Sequence, residues 1–270
     1  MLRPEFRRAA GILVAATLAL PLLASETPVG SSAARAAAPR PLIVDGDFEA
    51  NKSGNQLRRR EPDGGWYESR NRQGPKEARL MLKRSTKKIG RNGTRKAMLK
   101  GDPNYNTYLS QAFPAAVRGK LALEWDIYVR EIMPPFNRTG FQMLGNAKVR
   151  GRGPNGSGAE RFVFLGFENS DQPGRINLFA FEGKNPDEWD ERTLLFSNLK
   201  LRTWHTIRVQ LDVEGERYRV SVPGIFDDPV EVQAFRVKGK RPPDALTHIS
   251  FATWNDGPGT FYVDNVRVLE

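Results

Sequence analysis

Residues 121–130 alternate without a break. Leu121, Leu123, Trp125, Ile127 and Val129 occupy one parity, and Ala122, Glu124, Asp126, Tyr128 and Arg130 occupy the other. A period of two places an extended chain with one face in a core and one face outside it. The same period recurs in 204–213, where His205, Ile207, Val209, Leu211 and Val213 share a face, and in the closing stretch Thr260–Leu269. Further short strands are expected at 161–167, 175–181, 217–222 and 248–254, with a hairpin turn at Glu214-Gly215-Glu216. Gly, Pro and Asn punctuate the intervals, and neither a sustained helical period nor an internal repeat is present. Such a chain is all-β: an antiparallel β-sandwich of the jelly-roll kind.

The ends of the chain differ from its middle. Arg3, Arg7 and Arg8 precede an apolar run at 11–24, and small residues follow at Ala34, Ala36 and Ala38. The run is short of the ~20 residues of a membrane span. Residues 1–38 therefore read as an export signal cleaved near 36–38, leaving 39–270 as a single domain, secreted or periplasmic. No later segment is apolar enough to cross a membrane. The chain has no cysteine, so such a domain rests on core packing, with a bound metal as a further aid.

Charge is concentrated. Residues 56–96 hold 14 Lys and Arg against 4 Asp and Glu, whereas the chain carries +11 in all. The excess suits an anionic polymer, and equally a solvated, lysine-rich edge strand. Residues 134–160 contain Pro134-Pro135 and a glycine-rich run, and read as a long surface loop. Gly151-Arg-Gly-Pro-Asn-Gly156 matches a nucleotide-binding pattern by letter only, since Pro154 interrupts it and no helix follows; no nucleic-acid partner is expected.

Two short motifs suggest a relationship. Asp45-Gly-Asp-Phe-Glu49 resembles the opening of secreted jelly-roll carbohydrate-binding modules, and Phe261-Tyr-Val-Asp264-Asn-Val266 resembles their closing strand. Trp204-His-Thr-Ile-Arg-Val, a turn, then Tyr218-Arg-Val-Ser-Val is similar to a strand pair of the concanavalin A-like lectin and glucanase superfamily. The resemblance implies a structural calcium ion tying the two ends together through Glu49 and Asp264, with Asp47 as a further ligand; calcium takes several hard oxygen donors.

The outer parity of 121–130 is the candidate binding face. Glu124, Asp126, Tyr128 and Arg130 lie there, joined by Trp254, whose ring falls opposite Ile249 and Phe251. Glycosidases of this superfamily carry Glu-x-Asp followed by a second Glu, but Glu131 is an odd number of residues from Glu124 and is expected on the opposite face. His205 alternates with core residues and reads as buried. The expected function is binding of a polysaccharide, acidic if the basic segment contributes, on the concave sheet face, without catalysis. A glycoside hydrolase or polysaccharide lyase of the same fold is the alternative, and a structural envelope protein the third.

Overall fold

The computed structural model describes residues 41–50, 65–69, 79–84, 95–101, 106–134, 137–148, 153–154, 158–183, 192–253 and 258–269. These belong to the unit Arg40–Glu270. The expected export signal, most of the basic segment and Trp254 lie outside the described residues.

Apart from one 3₁₀ turn at Gly158–Glu160, every regular element among the described residues is a strand. In chain order they are β1 (Tyr67–Glu68), β2 (Arg79–Arg84), β3 (Arg95–Lys100), β4 (Thr107–Val117), β5 (Lys120–Ile132), β6 (Arg138–Gly145) and β7 (Arg161–Asn169). Then follow β8 (Arg175–Phe181), β9 (Arg192–Lys200), β10 (Trp204–Asp212), β11 (Arg217–Val222), β12 (Phe226–Gln233), β13 (Leu246–Thr253) and β14 (Gly259–Leu269). Two antiparallel sheets result, ordered β1-β4-β13-β6-β7-β8-β9 and β12-β11-β10-β5-β14-β3-β2. This is the jelly-roll sandwich that the alternation predicts.

The main core lies between the sheets. Leu123, Trp125, Ile127 and Val129 of β5 meet Leu165, Phe167, Leu178 and Phe251 there. Trp125 sits edge-on to Phe251 at 5.7 Å, and its indole N–H donates to Gln142 Oε1 at 2.7 Å. That bond satisfies two polar groups which would otherwise each cost about 1–3 kcal/mol when buried.

Around β6 and β7 the sheet they share is buried on both faces. Its far side carries a second cluster of Phe141, Met143, Phe164, Phe179, Phe181 and Phe235. Phe235, from the segment after β12, donates its backbone N–H to Phe162 O at 2.8 Å and so clips the cover onto the sheet. This corrects the expectation of a loop at 134–160, because β6 occupies 138–145 and all eight of its residues are buried. A strand buried on both faces has no polar parity, and Gly140, at φ 64°, breaks its register further.

The two ends of the domain meet. Val266 N–H donates to Gly46 O at 2.9 Å, and the approach is so close that a Cβ on Gly46 would lie 1.8 Å from Val266 O. Phe48 enters the core beside Trp66, 5.3 Å between rings. Gln111 brackets Val44 through both its amide groups, at 2.7 and 2.8 Å. The opening cluster is therefore part of the fold.

Candidate functional site

The outward face of the β5 sheet is ordered by three strands. Pairing sets Glu124 opposite Arg208 and Arg267, Asp126 opposite Thr206 and Asp264, and Tyr128 opposite Trp204 and Tyr262. Two bulges reshape this face. In β14 the register slips between Asp264 and Arg267. Asn265 takes φ 51° there, Val266 packs inward, and Arg267 turns outward to reach Glu124. In β5, Thr260 pairs Glu131 while Phe261 pairs Val129, so Arg130 is the extra residue of a bulge.

That second bulge corrects the expected orientation of Glu131. Its carboxylate accepts from Thr260 Oγ1 at 2.7 Å, on the same face as Glu124. The two acids are still far apart: six rungs of a strand span about 20 Å, against the about 5–9.5 Å of a glycosidase pair. They are no catalytic pair.

Glu124 is buried and fully engaged. Its Oε2 accepts from Arg208 Nε at 3.1 Å and Nη2 at 3.0 Å, and its Oε1 accepts from Arg267 Nη2. The carboxylate side chain is 4 % exposed, while the Arg208 and Arg267 side chains are 40 % and 64 % exposed. Asp126 is engaged as well. Thr206 Oγ1 donates to one oxygen at 2.6 Å and Asn265 Nδ2 to the other at 2.8 Å.

Tyr128 packs with Met98, Trp204 and Tyr262. Its ring lies 5.5 Å from Trp204 and 5.8 Å from Tyr262. Burial, then the neighbouring Tyr262, push its phenol above the ordinary value, which disfavours it as a base. Arg130 is exposed and hydrogen-bonds the Tyr262 side chain. The structure thus brings Glu124, Asp126, Tyr128 and Arg130 to one face, with the acids as anchors for neighbours.

Among the described residues the three expected calcium ligands are not gathered into a metal-binding group of acids. Asp47 caps its own turn, accepting Glu49 N–H at 3.3 Å. One Glu49 carboxylate oxygen accepts Arg95 N–H at 2.8 Å. Asp264 is buried in the sheet, where its Oδ1 accepts Asn265 N–H at 2.9 Å and its Oδ2 has no hydrogen-bond partner among the described residues. Desolvation lifts its carboxyl to about 7. The charges of Asp264 and Glu49 both act on Lys96, which is buried with its Nζ 4.8 Å from the Trp204 ring centre. A lysine ammonium, already a cation, is thus felt by both acids assigned to the metal. Among the described residues no group of three or more His, Cys, Asp or Glu is placed to hold a metal ion, and this donor set does not fit calcium.

Beside Glu124 the face opens into a groove of about 460 Å³. Ala122 and Gln210, two residue pairs beyond Glu124 and Arg208, form part of its lining with Lys120, Arg219, Glu231 and Leu269. Arg219 Nε meets Glu231 at 3.1 Å. The residues that sequence reasoning missed are Arg208, Gln210, Arg219 and Arg267. A signal for Arg267 existed: the apolar parity of Phe261 and Val263 slips by one at Val266, next to an asparagine that tolerates left-handed φ.

His205 is buried, as its parity predicts, and its Nε2 lies 2.8 Å from Lys200 O. His248 is buried too, with Nδ1 2.7 Å from Thr247 Oγ1. Burial lowers its pKa to about 4.

The fold is an antiparallel jelly-roll β-sandwich. No family model and no curated protein matches the chain. Among solved structures it is similar to a carbohydrate esterase from the Shiga toxin-encoding bacteriophage phi24B, with 11 % identity and a TM-score of 0.51 over 76 % of this chain and 89 % of that one. It is also similar to a sialidase, at 13 % identity and a TM-score of 0.48; 76 % of this chain is matched to only 17 % of that one. A GH131 β-glucanase catalytic domain from Podospora anserina follows, at 15 % identity and a TM-score of 0.47 over 86 % and 96 % of the two chains. At such identities the likeness extends to the fold. Among the described residues no helix is long and apolar enough to cross a membrane.

Proposed function

We propose that this is an exported, non-catalytic protein that binds an acidic polysaccharide on the outward face of the β5 sheet. The observation that carries the reading is the groove at Ala122 and Gln210, an open cleft of mixed polar and apolar lining bordered by Lys120 and Arg219. Open clefts with a few fixed polar groups suit a sugar chain. The nearby acids support binding over catalysis, because both oxygens of Glu124 and of Asp126 are engaged by neighbouring side chains. The basic composition of 56–96 favours an acidic polymer, and the apolar run at 11–24 favours export.

Affinity electrophoresis in gels cast with uronate polymers and with neutral β-glucans tests the reading. Retarded migration without bond cleavage after long incubation is expected. Cleavage would move the protein to the hydrolase or lyase class. Unretarded migration across the panel would exclude polysaccharide binding and leave a structural envelope role.

A further inference from the structure

On the same face, and resting on the polysaccharide reading, we propose that Arg208 and Arg267 form a subsite for one oxyanion substituent of the glycan, a carboxylate or a sulfate. Glu124 acts as its positioning residue. The two guanidiniums come from β10 and β14, which flank β5 on either side. Both converge on one buried carboxylate between them.

Two cations on one anion leave an excess positive charge at the surface. The donors remain as well. Arg208 spends Nε and one Nη2 hydrogen on Glu124, and Arg267 spends one Nη2 hydrogen, out of five N–H groups on each. The rest belong to side chains that are 40 % and 64 % exposed. A guanidinium held by a buried acid loses little further freedom when a second oxyanion arrives, and planar forks match oxyanions well. Lys120 lies four residue pairs along β5 from Glu124, and Arg219 faces Gln210 two pairs from Arg208, so a chain seated in the groove passes the pair.

Neutralising Glu124 alone would require one arginine. The second is delivered by a bulge in β14 at Asn265, a device that re-aims a side chain.

The test uses three gel-borne polymers: polygalacturonate, its methyl ester and dextran sulfate. Wild-type protein is expected to be retarded more by the acid than by its ester. Arg267→Ala should weaken retention by the acid about tenfold, the worth of one charge-assisted hydrogen bond, and leave the ester unchanged. Glu124→Gln should lower the acid-to-ester ratio as well, with melting followed in parallel. Because Arg267 is largely exposed, its alanine variant keeps the fold even where the Glu124 variant does not. Dextran sulfate retained at the expense of polygalacturonate would identify the oxyanion as sulfate and support the subsite. Equal retention of acid and ester without stronger retention by dextran sulfate, or an Arg267→Ala variant that keeps wild-type retention on the acidic polymers, would overturn the subsite and leave the polysaccharide reading standing. Retention by none of these polymers or of a neutral glucan panel would remove both.

Discussion

Asp264→Asn should make the protein more tolerant of neutral pH, with no gain in acid. Asp264 is 1 % exposed, and its carboxyl rises from 3.8 to about 7, chiefly by desolvation, with Asp126 and Glu49 adding to the rise. The Asn265 N–H and the Lys96 ammonium oppose it. A folded-state value above the unfolded one means that the folded protein binds more protons across that window. The contribution of this carboxyl is then full below about pH 4 and declines as pH rises to about 7, by about 4 kcal/mol at most.

The asparagine keeps an oxygen for the Asn265 N–H and has no charge to desolvate. Urea unfolding of both proteins at pH 4, 5.5, 7 and 8 gives the comparison. Their difference should favour Asp264→Asn increasingly from pH 4 to 8, by about 4 kcal/mol, or roughly 10 °C in melting temperature for a domain of this size. A variant less stable than wild type by the same amount at every pH would refute the reasoning. It would mean that Asp264 is ionised in the fold, paired with Lys96 strongly enough to offset its burial.

His248 acts in the opposite direction over an overlapping range. Its pKa falls from 6.5 to about 4, so wild type should lose about 3 kcal/mol between pH 6.5 and 4, and His248→Phe should lose less in the same titration. Chelation should leave the melting temperature unchanged, since the Lys96 ammonium already acts on both Glu49 and Asp264; a calcium-dependent rise, abolished by Asp264→Ala, would restore the metal tie. Gln142→Leu should cost about 1–3 kcal/mol by stranding the Trp125 indole N–H, which near-ultraviolet circular dichroism and urea unfolding would register. Gly46→Ala should dislodge the opening segment from β14, exposing Phe48, and would be read as increased proteolysis near residue 48 with a lowered melt.

Much of the fold was legible in the sequence where one face of a strand is dry and the other polar. β5, β10, β11 and β14 all carry that parity, and each lies within a residue or two of its expected position. β6 escaped because both its faces are buried. β12 escaped because it is an edge strand, mostly exposed, with Pro229 at its centre. The candidate face was legible in part, since parity placed Glu124, Asp126 and Tyr128 together. It could not place Arg267 or Glu131, whose orientations depend on bulges formed only when β14 pairs with β5.

Sequence alone determined the class: period-two alternation without helices, in a chain lacking cysteine, leaves a packed antiparallel sandwich. It also named the acids that matter. Tertiary structure decided what those acids do. Glu124 became an anchor because β10 and β14 each bring an arginine to it. Asp264 became a buried, proton-holding carboxyl because the packed sheet desolvates it more than the Lys96 ammonium of β3 and the Asn265 N–H offset. A side chain's parity is a local property of its strand, whereas its charge partners come from strands far away in the chain, and only pairing across the sheet brings them within reach.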